Sequence, residues 1–161
     1  MSAIEITIDD LQREDLDRIA WSGSSAHVRN VAEQLARVDR GEAEYLAVRN
    51  EQGVPIAIGL IDHTFAQNGS EIGQLSTHPD LQSRGLGTKL IEAAEERIQR
   101  RGHEWSILGV EVDNERARHL YERLGYQAYE TMPDSWIAED ENGNEYVKTV
   151  DTILLRKRVG N

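Results

Sequence analysis

The chain has 161 residues, of which 39% are hydrophobic and 29% charged, with three prolines and no cysteine. That length holds one well-buried core and falls short of two ordinary domains, so a single domain over residues 1–161 is expected; the lack of cysteine excludes disulfides, thiolate catalysis and cysteine metal sites. With 18 basic against 29 acidic residues the net charge is −11, which disfavours nucleic acid and anionic membranes as partners and either attracts a cation or simply keeps the protein in solution.

Met1 to Asp10 has no basic region leading into an apolar stretch, and no apolar run approaches the ~18 residues of a membrane-crossing helix. No signal peptide and a cytoplasmic location are therefore expected. Ile4 to Ile8 alternates with period two and predicts a strand, after which Asp9 and Asp10 can cap a short helix carrying Leu11, Leu16, Ile19 and Ala20. Val28, Val31, Ala32, Leu35 and Val38 share a helical face, with Gly41 beyond its end. Glu44–Asn50, Pro55–Phe65 and Ser70–His78 then read as strands joined at Gln52-Gly53 and Asn68-Gly69, an antiparallel meander.

The period changes at Leu86. Leu86, Leu90, Ile91, Ala94 and Ile98 repeat at helical spacing until Gly102, Trp105–Val112 reads as a buried strand, and Asn114 can cap a helix bearing Ala117, Leu120, Tyr121 and Leu124 that ends at Gly125. Tyr126–Met132 and Val147–Arg158 read as the last strands, with the acidic stretch Glu139 to Glu145 a solvated loop or hairpin tip. The sum is one α/β (α+β) domain, a mixed and mostly antiparallel sheet of about seven strands flanked by about four helices.

Gln82-Ser83-Arg84-Gly85-Leu86-Gly87-Thr88 lies between a strand and a helix. Two glycines in alternate positions let a ligand approach the backbone, and the first turn of a helix offers unpaired amides that suit phosphate oxygens; the same residues would also make an ordinary strand-to-helix turn. A P-loop would need lysine directly after its last glycine, and Thr88 precedes Lys89; a dinucleotide fingerprint would need glycine where Leu90 stands.

The pattern Gln-x-x-Gly-x-Gly after a strand resembles the pyrophosphate loop of the GNAT superfamily of N-acetyltransferases. Leu75-Ser76-Thr77-His78-Pro79 is similar to that family's fourth strand, and Val110 through Asn114 to Leu124-Gly125-Tyr126 resembles its second signature, so the likeness spans residues 70–130. The resemblance implies acetyl-CoA as co-substrate and a primary amine as acceptor, joined by direct transfer in a ternary complex. It implies that main-chain groups of Leu75 and Thr77, with Ser76 between them, bind the pantetheine arm. It gives the pyrophosphate to the amides of Ser83, Arg84, Gly85, Leu86, Gly87 and Thr88, with Gln82 shaping the loop. Amides near Thr77 would also stabilise the developing oxyanion. Asn114 would either touch pantetheine or stay a helix cap, and Tyr121 would protonate the departing thiolate or be a core aromatic.

The general base stays open at this level. Glu71 stands where the histone-acetyltransferase branch keeps its glutamate, while the branch that acetylates ribosomal protein termini uses a fifth-strand position that is Gly109 here; Glu111 is on the same strand face. Trp21, His27 and Trp136 fall in segments flanking the family's acceptor cleft, as wall or as core. The five histidines show no metal-ligand pairing, and no metal is expected. Two other functions remain: a non-catalytic acyl-CoA sensor, and an acyltransferase for another acyl group or a hydroxyl acceptor. Members of the superfamily are often dimers, which sets a homodimer beside a monomer as an expectation.

Overall fold

A computed structural model describes residues 5–160. In chain order the elements are β1 (Thr7–Asp10), two 3-10 turns (Arg13–Arg18 and Ala20–Ser22), α1 (Ser25–Asp39), β2 (Ala43–Arg49), β3 (Pro55–Ala66) and β4 (Gly69–Thr77). They continue with a 3-10 turn (Pro79–Leu81), α2 (Leu86–Arg101), β5 (Trp105–Glu111), α3 (Glu115–Arg123), β6 (Gln127–Glu139) and β7 (Glu145–Arg158). The strands form one seven-stranded sheet in the order β1-β2-β3-β4-β5-β7-β6, antiparallel throughout except where β4 and β5 run parallel.

Helices cover the two faces. On one, Val31 and Leu35 of α1 pack with Tyr45, Ala47 and Ile58. On the other, α2 buries Leu86, Leu90, Ile91, Ala94 and Ile98 against Leu46, Ile61, Ile72, Leu108 and Leu155. Each fully buried large aliphatic contributes about 1.5–3 kcal/mol, so the helical spacing read from the sequence is what fixes α2 on the sheet. Gly102 closes α2 in the left-handed region (φ 89°), with its amide and that of His103 returning to Gln99 and Ile98 carbonyls.

Three readings shift. Ile4 lies outside the described residues, and the first strand reaches Asp10, since Asp9 and Asp10 pair with Ala47 and Leu46. They cap no helix: Gln12 heads the following 3-10 turn, and the Asp15 carboxylate takes the Gln12 amide at 2.7 Å. The hairpin after β3 turns on Gln67 and Asn68, with Ala66 opposite Gly69, one residue earlier than the Asn-Gly pair suggests. Finally, β6 runs on to Glu139 rather than stopping at Met132. Pro133 and the polar Asp134-Ser135 break the alternation that marks a strand, but β6 is the sheet edge, where proline sacrifices no ladder bond. The acidic stretch is the hairpin's turn, closed by the Asp140 carboxylate accepting the Asn142 and Asn144 amides.

Candidate active site

β4 and β5 pair only from Gly69 opposite Trp105 to Ile72 opposite Leu108, and then part. The cause lies in β4, where the register slips between Gly73 and Ser76 and Gln74 takes a positive φ of 50°, a bulge that bends the strand away. Tyr45 Oη donates to Gln74 Oε1 at 2.8 Å, and the Gln74 amide donates to Asn30 of α1 at 2.5 Å, so the side chain anchors the kink.

Beyond the bulge the alternation of an antiparallel ladder decides which main-chain groups are free. His78 N–H donates to Ile56 O at 2.8 Å, and Ser76 and His78, two apart, turn the same way toward β3. Leu75 and Thr77 therefore point their main-chain groups into the gap. Gln82 Nε2 reaches the Thr77 carbonyl at 3.4 Å, tying the following loop to the strand end.

In that loop Ser83 (φ 64°) and Gly85 (φ 79°) are both left-handed. Alternating handedness of this kind turns successive amides toward one point, a nest suited to an anion. The first intrahelical bond of α2 is Lys89 N–H to Gly85 O at 3.1 Å, so the amides of Leu86, Gly87 and Thr88 precede the helical ladder. A Cβ at Gly85 or Gly87 would meet nothing within 4 Å, so side-chain packing demands neither glycine; the left-handed backbone accounts for Gly85, while the open space over Gly87 leaves room for a ligand.

Where the strands part, a cleft of about 1000 Å³ opens, lined by Glu71, Leu75, Ser76, Gly109, Glu111 and Tyr121 from the sheet and α3, by His27, Asn30 and Gln34 from α1, and by Asp134 to Glu139 from β6. Glu71 sits on its floor. Burial, with the nearby Asp134 and Asp62 charges, pushes its carboxyl up to about 7. Its Oε2 lies 3.7 Å from where a Cβ on Gly109 would be, beside the Thr152 methyl and Leu154. The two glutamate positions open in the sequence are thus alternatives in space. A side chain at 109 would first meet the Thr152 methyl at 3.1 Å, and the Glu71 carboxylate reaches across from β4 to just beyond it.

Tyr121 enters from α3 on the far side of the parted strands, and burial raises its phenol, so it stays protonated at neutral pH. Asn114 is exposed and outside the cleft lining; its Oδ1 accepts the Ala117 amide at 3.2 Å, the helix-cap role of the two considered. Trp21 does not line the cleft. Its ring packs tilted against that of His78, centroids 5.5 Å apart, and His78 in turn caps the 3-10 turn after β4. His27 and Trp136 do line it. Asn30, Gln34, Gln74 and Asp134 were not anticipated. None left a sequence signal, since Gln74 is one polar residue among several in the strand Gly-Ser-Glu-Ile-Gly-Gln-Leu-Ser-Thr.

The Acetyltransferase (GNAT) family model matches residues 7–126. N-alpha-acetyltransferase 30 of Saccharomyces cerevisiae is 34% identical over 91 residues, 53% of this chain and 52% of that protein. The chain thus spans about half the length of that curated relative. The ribosomal-protein-S18-alanine N-acetyltransferase of Escherichia coli shares the fold, with a TM-score of 0.73 at 20% identity over 98% of this chain and 96% of that one. So does yncA from Salmonella typhimurium, solved with its cofactor acetyl-CoA, with a TM-score of 0.72 at 18% identity over 98% and 95%. With the family model matching most of its length, parted strands and glycine loop included, the chain belongs to the Acetyltransferase (GNAT) family.

Proposed function

We propose that the protein is an acetyl-CoA-dependent N-acetyltransferase that moves the acetyl group directly to a primary amine while both substrates are bound. The observation that carries this reading is the half-buried Glu71 carboxylate lining the cleft where the strands part, with desolvation pushing its proton affinity up to about 7. A base poised near the working pH is what an incoming ammonium needs.

The residues divide the work. Amides of Ser83, Arg84, Gly85, Leu86, Gly87 and Thr88 hold the pyrophosphate, with Arg84 and Lys89 adding charge, and Gln82 fixes the loop on Thr77. Main-chain groups of Leu75 and Thr77 pair with the pantetheine arm and orient the thioester, Ser76 lying between them. Glu71 takes the proton from the ammonium, directly or through a water. The free amine then attacks the thioester carbon, the C–N bond forming as C–S breaks, and the nitrogen loses its second proton to water, which restores the Tyr121 hydroxyl after its own proton has gone to sulfur. The Tyr121 hydroxyl donates its proton to the departing sulfur, and the Thr77 amide stabilises the negative charge growing on the carbonyl oxygen.

Thiol release from acetyl-CoA across an amine panel tests the reading. The expected kcat/KM rises with pH through a midpoint near 7, because only ionised Glu71 accepts a proton. Acetyl-CoA that raises the melting temperature yet yields no thiol with any amine would instead indicate a sensor; ligand at a hundred times its Kd stabilises by about 2.7 kcal/mol.

A further inference from the structure

The acceptor half of the cleft has two properties that the transfer reading does not require. The first is closure. At the rim, Glu139 of β6 accepts Ser25 Oγ at 2.9 Å and the Ala26 amide at 3.3 Å, so a carboxylate from the hairpin caps the first turn of α1. One turn further along, Arg29 of α1 pairs with Glu145 of β7. The hairpin and α1 are the two walls of the acceptor side, and these contacts join the walls at the rim. An extended chain leaving the cleft between them would have to break both.

The second property is charge. Among the described residues lining the cleft are four carboxylates, Glu71, Glu111, Asp134 and Glu139, and no lysine or arginine. Glu139 is used in the clasp. The ion pairs among the described residues leave Glu71, Glu111 and Asp134 without a basic partner. Lys148 is the nearby cation of the hairpin, and it lies over the Trp136 ring at 5.5 Å rather than in the lining. His27 supplies no compensating charge either: burial lowers its proton affinity, and its Nε2 is buried without a hydrogen-bond partner. One base is enough for transfer. Asp134 helps hold the Glu71 carboxyl up at about 7, but neither it nor Glu111 is needed to bind a singly charged amine.

We infer that the acceptor is a compact amine with a second positive charge, a small diamine or polyamine, enclosed between α1 and the β6–β7 hairpin, rather than the N-terminus of a polypeptide. The inference rests on the transfer reading above. Glu71 deprotonates the reacting ammonium, while Asp134 and Glu111 hold the distal one, which stays charged. Glu139 sets the size limit by tying the hairpin to α1.

The test is thiol release from acetyl-CoA by the whole chain with putrescine, spermidine, butylamine and a short peptide with a free amino terminus. Putrescine and spermidine should exceed butylamine in kcat/KM by about tenfold or more, the scale of one close charge pair, and added salt should shrink that gap. Asp134→Asn should pull the putrescine-to-butylamine ratio toward one, with Glu111→Gln a second variant on the same readout. Glu139→Ala should raise the peptide-to-putrescine ratio by opening the rim. A thermal shift with acetyl-CoA verifies that each variant keeps the coenzyme site. Peptide turnover equal to putrescine in the unaltered protein, or a charge ratio untouched in folded Asp134→Asn and Glu111→Gln, overturns the inference and leaves the transfer reading standing. Thiol release with none of the four acceptors removes both.

Discussion

The two halves of the proposed site are built from different materials. The half proposed for the coenzyme is main chain and, apart from Leu75 and Ser76, lies outside the cleft lining: left-handed Ser83 and Gly85, the free amides opening α2, and the unpaired edge of β4 beyond its bulge. The acceptor half is side chain: Glu71 and Glu111 from the sheet, His27, Asn30 and Gln34 from α1, and Asp134, Trp136 and Glu139 from the hairpin. A main-chain site tolerates change in most of its residues and fails only where backbone geometry fails. A side-chain site is lost or re-aimed by single substitutions. The halves should therefore respond to mutation in different currencies, coenzyme binding on one side and turnover or selectivity on the other.

Glu71→Gln should produce the largest effect. Loss of a general base lowers turnover by roughly 100- to 10,000-fold and removes the rising limb of the pH profile, while the acetyl-CoA thermal shift persists. Stability should move the other way. The raised proton affinity means that the folded protein holds this proton more tightly than the unfolded chain. The wild-type fold therefore loses stability as pH climbs from the ordinary carboxylate range through about 7. At about pH 8 the glutamine variant should melt higher than wild type, and the difference should vanish below about pH 4, where both states are protonated. A melting temperature that falls at both pH values would mean that Glu71 is structural.

Tyr121→Phe comes next, with kcat reduced about 10- to 100-fold and the acetyl-CoA thermal shift kept, since the ring stays in its packing and only the proton donor leaves. Equal loss of turnover and coenzyme binding would instead put Tyr121 in the core alone.

Gly87→Ala tests the coenzyme half. Gly87 is helical, has no positive φ, and a Cβ there meets no protein atom within 4 Å. Alanine is the better helix former, so the fold should keep or gain stability while KM for acetyl-CoA rises about tenfold from crowding of the phosphate cradle. If KM is unchanged, the loop is only a turn between β4 and α2.

The same difference in material explains what could be read from the sequence. Main-chain geometry leaves a trace in residue type: alternate glycines before an amphipathic helix mark either a turn or an anion site, and α2 is legible down to Leu86 and Gly102 as its limits. Glu71 could be named as a candidate, and glycine at 109 already counts against the fifth-strand position. What the sequence does not show is that the Glu71 carboxylate comes within 3.7 Å of a Cβ built on Gly109, a relation between two strands 38 residues apart. The hairpin was the least legible part. Pro133, Asp134 and Ser135 silence the strand signal in β6, and the Glu139 clasp joins positions 113 and 114 residues apart. No local pattern records such a contact.

Asn114→Ala should have the smallest effect and separates the two roles open for that residue. The side chain accepts the Ala117 amide at the start of α3 and lies outside the cleft lining. As a cap alone, its loss costs about 1 kcal/mol of stability, read as a fall in melting temperature. KM for acetyl-CoA should not move, because α3 still brings Tyr121 to the cleft once the protein is folded. A coenzyme KM that rises with little loss of stability would make Asn114 part of the pantetheine site, and would give the main-chain half of the proposed site one side chain that it needs.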